Sequence, residues 1–96
     1  MMVLVTYDVE TITAKGRKRL RLVAKECLNF GQRVQNSVFE CVVNESQLLI
    51  LESSISNIID FDVDSIRFYR LGKGYEDKIK VLGKVTSYSV TETLII

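Results

Sequence analysis

Residues 1 to 11 read MMVLVTYDVET, and this segment gives the clearest indication of the fold. The apolar and β-branched run from Val3 to Tyr7 predicts a buried strand. A single carboxylate, Asp8, ends this run, and the apolar pattern resumes at Val9. By pattern alone, Asp8 is a polar residue that ends a strand and begins a turn, so any functional role for it needs further support.

The composition of the chain limits the classes of protein it can belong to. Its 96 residues are 47% hydrophobic and 26% charged, which is typical of one soluble domain too small to hold separate cofactor and substrate domains. The chain has no histidine, which excludes Ser-His and Cys-His nucleophiles and His-ligated zinc. Cys27 and Cys41 fall at apolar-face positions and are expected to be reduced core residues. No apolar run approaches the ~20 residues of a membrane span, and signal-peptide features are missing, so a cytoplasmic protein without membrane contact is expected.

A basic helix is predicted after the first strand. Its apolar residues have the i, i+3, i+4, i+7, i+8 spacing of one helix face: Leu20, Val23, Ala24, Cys27 and Leu28. Thr13 is the expected N-cap and Gly31 the expected C-terminal stop. Six of the thirteen basic residues lie in one window without an acid: Lys15, Arg17, Lys18, Arg19, Arg21 and Lys25. In helical projection, Arg17 and Arg21 flank the apolar face, and the other four are expected on the outer side. A solvated face is the simpler interpretation, but cations without acidic partners near a helix N-terminus favour a polyanionic ligand.

The rest of the chain predicts two strands, a second helix and a fourth strand. Residues 32–43 are β-rich, with a turn or bulge at Asn36-Ser37. Asn44 begins a helix as part of a capping box. The apolar face of this helix is Leu48, Leu51, Ile55, Ile58 and Ile59. Residues 61–72 predict a strand with Val63, Ile66 and Phe68 as apolar positions. Asp60, Asp62 and Asp64 at its start resemble a fragment of a calcium loop, but the glycine and the distal glutamate are missing, so a solvated turn is the simpler interpretation.

The resulting order, β-α-β-β-α-β, predicts a single α+β domain of the ferredoxin-like class over residues 1–96, with a core of about 1–72. The first and third strands are expected to be central and parallel. Residues 78–85 predict an additional C-terminal strand, followed by an apolar tail. Because an exposed apolar segment is a liability, residues 73–96 are expected to cover a sheet edge at a homodimer interface.

Several stretches resemble one known family, in order and in spacing. They are VLVTYDVET at the first strand, the arginine-rich first helix, GQRVQNSVFEC after it, and DSIRFYRLG at the fourth strand. The resemblance is to the small CRISPR-associated proteins that partner the integrase of the spacer-acquisition complex, the second of the numbered Cas proteins. It covers about residues 1 to 82, and the tail after Val85 carries none of it. It implies a homodimeric endonuclease of antiviral defence that depends on magnesium, or alternatively manganese, and acts on double-stranded DNA or single-stranded RNA.

The resemblance also assigns roles to individual residues. The family's aromatic-aspartate pair matches Tyr7-Asp8, and Asp8 is its metal ligand and catalytic carboxylate. The other matched positions are Arg17, Arg19 and Arg33 for its arginines, Phe39 for its aromatic residue and Ser37 for its serine. Of these, Arg33 and Phe39 join Asp8 as catalytic candidates, while Tyr7 and Ser37 support the site. The residues predicted to bind nucleic acid are Lys15, Arg17, Lys18, Arg19 and Arg21.

A single aspartate is a small ligand set for magnesium. This ion usually takes one or two carboxylates and completes its octahedron with water and phosphate. A two-fold axis beside the end of the first strand would supply a second Asp8. The simpler interpretations are a core aromatic for Phe39 and turn chemistry for Ser37. Two other functions stay open: a non-catalytic nucleic-acid scaffold for the integrase, and a toxin-like ribonuclease of the same fold. An RNA-recognition module is disfavoured because its stacking aromatics are missing from the third strand.

Overall fold

The apolar run at the start of the chain forms the first strand of a computed structural model that describes residues 1–83. The strands and helices are β1 Met2–Asp8, α1 Ala14–Leu28, β2 Gly31–Gln35, β3 Val38–Val42, α2 Glu45–Ser56 and β4 Ser65–Leu71, followed by a 3-10 turn at Tyr75–Lys78. The predicted α+β class and the β-α-β-β-α-β order are confirmed.

The four strands form one sheet in the order β2-β3-β1-β4, and every neighbouring pair is antiparallel. The prediction that β1 and β3 are central is confirmed, but the prediction that they are parallel is wrong. Helix α1 returns the chain so that β2 runs parallel to β1 without touching it. The β2–β3 hairpin then reverses direction, so β3 enters the gap antiparallel to β1.

Both helices pack on one face of the sheet, and within residues 1–83 the other face carries no helix. Along β1 the side chains of Val3, Val5 and Tyr7 are buried in the core, while Thr6 and Asp8 lie on the opposite face. The rest of the core comes from both helices, from β3 and from the residue that follows β3: Val23, Ala24, Cys27, Phe39, Cys41, Val43, Leu48, Leu51 and Ile55. Cys27 and Cys41 are free and buried, as predicted.

Both predicted helix starts are confirmed. The Thr13 hydroxyl accepts a hydrogen bond from the backbone N–H of Gly16 at 3.1 Å. Asn44 and Gln47 form a reciprocal capping box at the start of α2. The predicted stop of α1 at Gly31 is wrong, because α1 ends at Leu28 and Gly31 begins β2. A Cβ at position 31 would overlap the Glu40 carbonyl oxygen, so glycine is needed there for close strand approach.

The end of the described chain differs from the prediction in two respects. Val63 is not an inward strand residue, since it lies in the turn before β4 and is 63% exposed. Residues 79–83 form no strand, and the remainder of the predicted C-terminal strand and the tail lie outside the described residues. The domain boundaries and the interface role of residues 73–96 stay predictions. None of the helices in residues 1–83 is long and apolar enough to cross a membrane.

Candidate active site

Asp8 is the last residue of β1, and its side chain is exposed on the sheet face that the helices leave uncovered. The β1–β4 register pairs Asp8 with Ser65. Next to it, the backbone N–H of Tyr7 donates to the Ser37 carbonyl at 2.8 Å. Ser37 and Ser65 therefore border the same end of the sheet as Asp8, and regular strand pairing fixes the position of the carboxylate.

Glu10, the other acid near this strand end, is committed to the start of α1. Its carboxylate accepts hydrogen bonds from the backbone N–H groups of Ile12 and Thr13 at 2.9 and 3.0 Å, and from the Thr13 hydroxyl. The hydrogen bonds from Thr13 lower the pKa of Glu10 below the ordinary carboxyl value. The Glu10 backbone approaches Gly16 so closely that a Cβ there would overlap the Glu10 carbonyl oxygen. Strand β1 thus ends at Asp8, and Glu10 stabilises the loop that leads into α1.

Behind Asp8, a buried carboxylate joins three separate parts of the chain. The Asp64 side chain is fully buried and accepts two hydrogen bonds from the Arg19 guanidinium, at 2.8 and 3.2 Å. It also accepts the Tyr7 hydroxyl at 2.5 Å and the backbone N–H of Asp60 at 3.0 Å. This Tyr7–Arg19–Asp64 network ties β1, α1 and the turn before β4 together immediately behind the candidate site.

The network has defined protonation states. Burial would raise the pKa of the Asp64 carboxyl, but the hydrogen bonds from Arg19, Asp60 and Tyr7 hold that pKa below its usual value. Burial and the hydrogen bond to Asp64 raise the pKa of the Tyr7 phenol. The hydrogen bond to Asp64 also raises the pKa of Arg19. Near neutral pH, Asp64 is therefore an anion held by a neutral phenol and a cation.

Asp64 is the residue that sequence reasoning missed. The Asp60 and Asp62 side chains lie in an exposed turn, as predicted, but the prediction of a solvated position is wrong for Asp64. A signal was present at Tyr7, which follows Val3 and Val5 at the inward positions of β1. A buried tyrosine hydroxyl needs a partner, although the sequence does not say which residue supplies it.

The catalytic candidates Asp8, Arg33 and Phe39 do not come together on one face of the sheet. Phe39 pairs with Val5, points into the core and is fully buried. The Arg33 guanidinium lies over the Phe39 ring, 5.4 Å from its centroid, in a cation–π contact at the edge strand β2. Phe39 is therefore placed to hold Arg33, while Asp8 lies on the other face.

A basic groove, which we name the α1–β2 groove, runs between helix α1 and the edge strand β2. It encloses about 700 Å³, and no residue that lines it is acidic. Its cations are Arg17, Arg21, Lys25 and Arg33, and its apolar floor is Leu20, Ala24 and Leu28. The groove brings together Arg17, Arg21 and Arg33, three of the arginines predicted to act in binding or catalysis.

The other predicted basic residues are distributed differently. Lys15 and Lys18 are exposed on α1 outside the groove. Arg17 donates to the carbonyl oxygens of Thr11 and Ile12 at 3.0 and 2.7 Å, which leaves its remaining N–H groups for a ligand. Arg19 does not cover the outer side of the helix as expected, because its side chain is 17% exposed and bound to Asp64.

A divalent metal fits Asp8 only as a partial site in one chain. Within residues 1–83 no cluster of three or more His, Cys, Asp or Glu side chains could hold a metal ion. Asp8 supplies one hard oxygen ligand, of the kind that magnesium prefers, and its exposure leaves room for water, phosphate or a second carboxylate. The donor set therefore suits magnesium or manganese, provided that other molecules complete it.

Comparison with known proteins identifies close relatives. The family model described as CRISPR associated protein Cas2 matches residues 1–79. The CRISPR-associated endonuclease Cas2 of Halalkalibacterium halodurans is 50% identical over 95 residues and is covered to 99%, as is this chain. The CRISPR-associated endoribonuclease Cas2 of Chlorobaculum tepidum is 48% identical, with full coverage of both chains. The family model ends at residue 79, close to the predicted end of the resemblance near residue 82, while the alignments with these two relatives extend through the tail.

A solved structure agrees with these matches. The crystal structure of Streptococcus pyogenes Cas2 at pH 6.5 is 57% identical in sequence and superposes with a TM-score of 0.83. The match covers 86% of this chain and 100% of that one. At this level of identity and coverage, both the fold and the evolutionary relationship of the two chains are established.

Proposed function

The chain belongs to the Cas2 family of CRISPR-associated proteins, and we propose that it is a magnesium-dependent phosphodiesterase of CRISPR adaptation that cleaves RNA or double-stranded DNA as a cytoplasmic homodimer. Relatives about 50% identical carry the names endonuclease and endoribonuclease, which support nuclease activity and leave the choice of substrate open.

The observation that carries the proposal is the position of Asp8. Its carboxylate is exposed at the end of a central strand, on the sheet face that neither helix covers, and pairing with β4 holds the backbone in place. A second copy that packs its sheet on this face would bring its own Asp8 to the same axis. Magnesium usually takes one or two carboxylates from a protein, so two Asp8 side chains at the axis would complete the protein's share of its ligands.

When bound, magnesium would supply activation of a water nucleophile and neutralisation of phosphate charge. The residues of the chain have complementary roles. Asp8 would hold the ion, and the Ser37 hydroxyl would orient water at the same strand end. Arg17 and Arg33 lie in the α1–β2 groove, away from Asp8, so they would bind phosphates of the same nucleic acid outside the reacting group and position the substrate. Phe39 would act indirectly, by holding Arg33 in place.

The α1–β2 groove supports a second component of the function, sequence-independent binding of nucleic acid. Four cations line it without an acid, and they lie on the helix side of the molecule, away from Asp8. Duplex DNA bound there would be held through its phosphates. This arrangement also suits a protein that acts chiefly as a DNA-binding scaffold for the integrase partner, the alternative to catalysis.

The two components separate in one experiment. Asp8→Asn keeps the shape of the side chain and removes its charge, so it should abolish magnesium-stimulated cleavage of RNA and of duplex DNA. Folding, dimerisation and DNA affinity should stay those of the wild type. Asp62→Asn is the matched control, because it removes an exposed aspartate charge from the turn before β4 and should leave cleavage unchanged. Cleavage is measured on gels with and without magnesium, and metal binding by calorimetry.

Each result selects one interpretation. Full magnesium-stimulated activity in the Asp8→Asn variant would contradict the metal-site proposal. Wild-type protein that binds DNA and cleaves neither substrate would support the scaffold. Asn can still end the strand and begin the turn. A variant that unfolds would therefore show that the Asp8 charge itself is needed for folding.

A further inference from the structure

Two residues of opposite charge flank β1 on the sheet face that the helices leave uncovered. Glu40 of β3 is paired with Leu4, and Arg67 of β4 is paired with Thr6, so the four residues share that face. Among residues 1–83 the ion pairs are Arg19–Asp64 and Arg70–Glu45, and neither includes Glu40 or Arg67. Besides Asp8, the uncovered face thus carries one anion, Glu40, and one cation, Arg67, and neither has a charged partner within residues 1–83.

The surroundings of these two charges resemble an interface more than a solvated surface. Glu40 is partly buried on a central strand, and this burial raises the pKa of its carboxyl despite a hydrogen bond from Gln32. Arg67 is exposed and donates one hydrogen bond, to the Tyr69 hydroxyl at 3.1 Å, which leaves most of its donors free. Val42 and Tyr69, on the same face, are 38% and 43% exposed.

Strand geometry makes Glu40 and Arg67 complementary between two copies. With about 4.8 Å between strands and about 3.4 Å per residue, their Cα atoms lie about 12 Å apart in one protomer, on opposite sides of β1. A two-fold axis that runs parallel to β1 and close to it would bring two Asp8 carboxylates together. Rotation about such an axis places β3 of one protomer over β4 of the other, because these strands flank β1 on its two sides.

The distance across the interface is suitable for an ion pair. Packed sheets lie about 10 Å apart, and an offset of two residues along the strand adds about 7 Å, which gives a Cα separation near 12 Å. Extended Glu and Arg side chains span this distance. Because the interface is isologous, any contact from Glu40 to the partner's Arg67 occurs twice.

We propose that Glu40 forms an ion pair with the partner's Arg67 and that the two symmetric pairs fix the register of a face-to-face homodimer. The inference rests on the dimer of the proposed function and adds the contacts that determine how two copies align. Charge complementarity at an interface contributes mainly to specificity, because mispaired like charges are repelled. These pairs would therefore select copies of the same chain over other proteins.

Charge reversal with rescue tests the inference. Glu40→Arg and Arg67→Glu should each weaken the homodimer about 100-fold or more, since each creates two repulsive contacts. A mixture of the two variants should form a heterodimer, because the introduced arginine then faces the introduced glutamate and the second contact keeps its native pair. The chain that carries both changes should again form a homodimer. Glu52→Arg on α2 and Lys18→Glu on α1 are matched controls on the helix side and should dimerise like the wild type.

Sedimentation velocity measures dimer affinity, and native mass spectrometry identifies the heterodimer. Heterodimer formation by two variants that are monomeric alone would establish the pairing even if one variant is less stable. The inference is overturned if both single variants dimerise like the wild type, or if the mixture stays monomeric. A monomeric wild-type protein would instead contradict the dimer of the proposed function, so the two failures are distinguishable.

Discussion

At the scale of single residues, Asp64 links more of the structure than any residue of the candidate site. Its buried carboxylate accepts hydrogen bonds from Tyr7 on β1, Arg19 on α1 and the backbone of Asp60. A buried carboxylate is tolerated only where such partners compensate for lost hydration. Removing the anion is therefore expected to lower stability strongly, because the Arg19 cation and the Tyr7 hydroxyl lose their acceptor.

We therefore expect Asp64→Asn to lower the free energy of unfolding by about 3 kcal/mol near neutral pH, a magnitude typical of breaking a buried pair. Denaturant unfolding measures the loss. Asp62→Asn, in the same turn but exposed, should change stability little. Equal effects of the two substitutions would show that the network contributes nothing specific.

The same carboxyl predicts a dependence of stability on pH. Because its pKa is lower in the folded state than in the unfolded chain, its contribution is fully present above the ordinary Asp value of about 3.9. That contribution is lost as the pH falls through the lower folded-state pKa. Wild-type stability should therefore decrease on acidification below about pH 4, and the decrease should be smaller in Asp64→Asn. Parallel pH profiles would contradict this assignment.

Individual residues also mark where sequence reasoning ends. The charge at Asp8 interrupts the apolar run and correctly predicted the end of the strand. The sequence did not predict the partner of Arg19, since Asp64 lies 45 positions away and belongs to a turn that looks solvated in the sequence. Long-range pairs of this kind follow from tertiary packing and leave no periodic signal.

At the scale of elements, helix α1 illustrates both success and failure of pattern reasoning. Its apolar spacing and Thr13 cap predicted a helix that begins at the observed position. The helical projection placed Arg19 on the outer side, but the side chain bends inward to a buried acid. A projection gives the direction of Cα–Cβ bonds, and a long side chain can depart from that direction.

This difference changes how DNA binding by α1 should be tested. The double variant Arg21→Gln, Lys25→Gln removes two cations of the α1–β2 groove that have no part in the Asp64 network. It should weaken duplex DNA binding and reduce the slope of log affinity against log salt by about 2, or about 0.9 per lost phosphate contact. Fluorescence anisotropy over a salt series measures the slope.

Lys73→Gln is the matched control, because Lys73 is exposed after β4 and lies outside the groove. Arg19→Gln should lower stability in addition to any loss of affinity. An unchanged salt slope in the double variant would exclude the groove as the phosphate-binding surface.

At the scale of the whole molecule, element order was sufficient to predict which strands are central, but their relative direction was predicted incorrectly. In β-α-β-β-α-β the hairpin that joins β2 to β3 forces β3 to run against β1, so the sheet is wholly antiparallel. One consequence is that β2 and β4 are edge strands in the described chain. Edge strands carry unpaired backbone groups that another strand can satisfy.

The last prediction concerns these edges and the tail. We expect the segment from Lys78 onward to strengthen the dimer by adding a strand to a sheet edge of the partner, because backbone pairing and the apolar residues Leu94, Ile95 and Ile96 would both be satisfied there. A chain truncated after Asp77 lacks this whole segment and retains every core residue of the described structure, so it should fold. Its dimer should dissociate at least about 10-fold more readily, as measured by sedimentation velocity.

A full-length variant with those three apolar residues changed to Ser keeps the backbone. It should therefore show an intermediate affinity, if strand pairing and apolar contact both contribute. A truncated chain that dimerises as tightly as the full-length protein would leave the uncovered sheet face as the sole basis of the dimer.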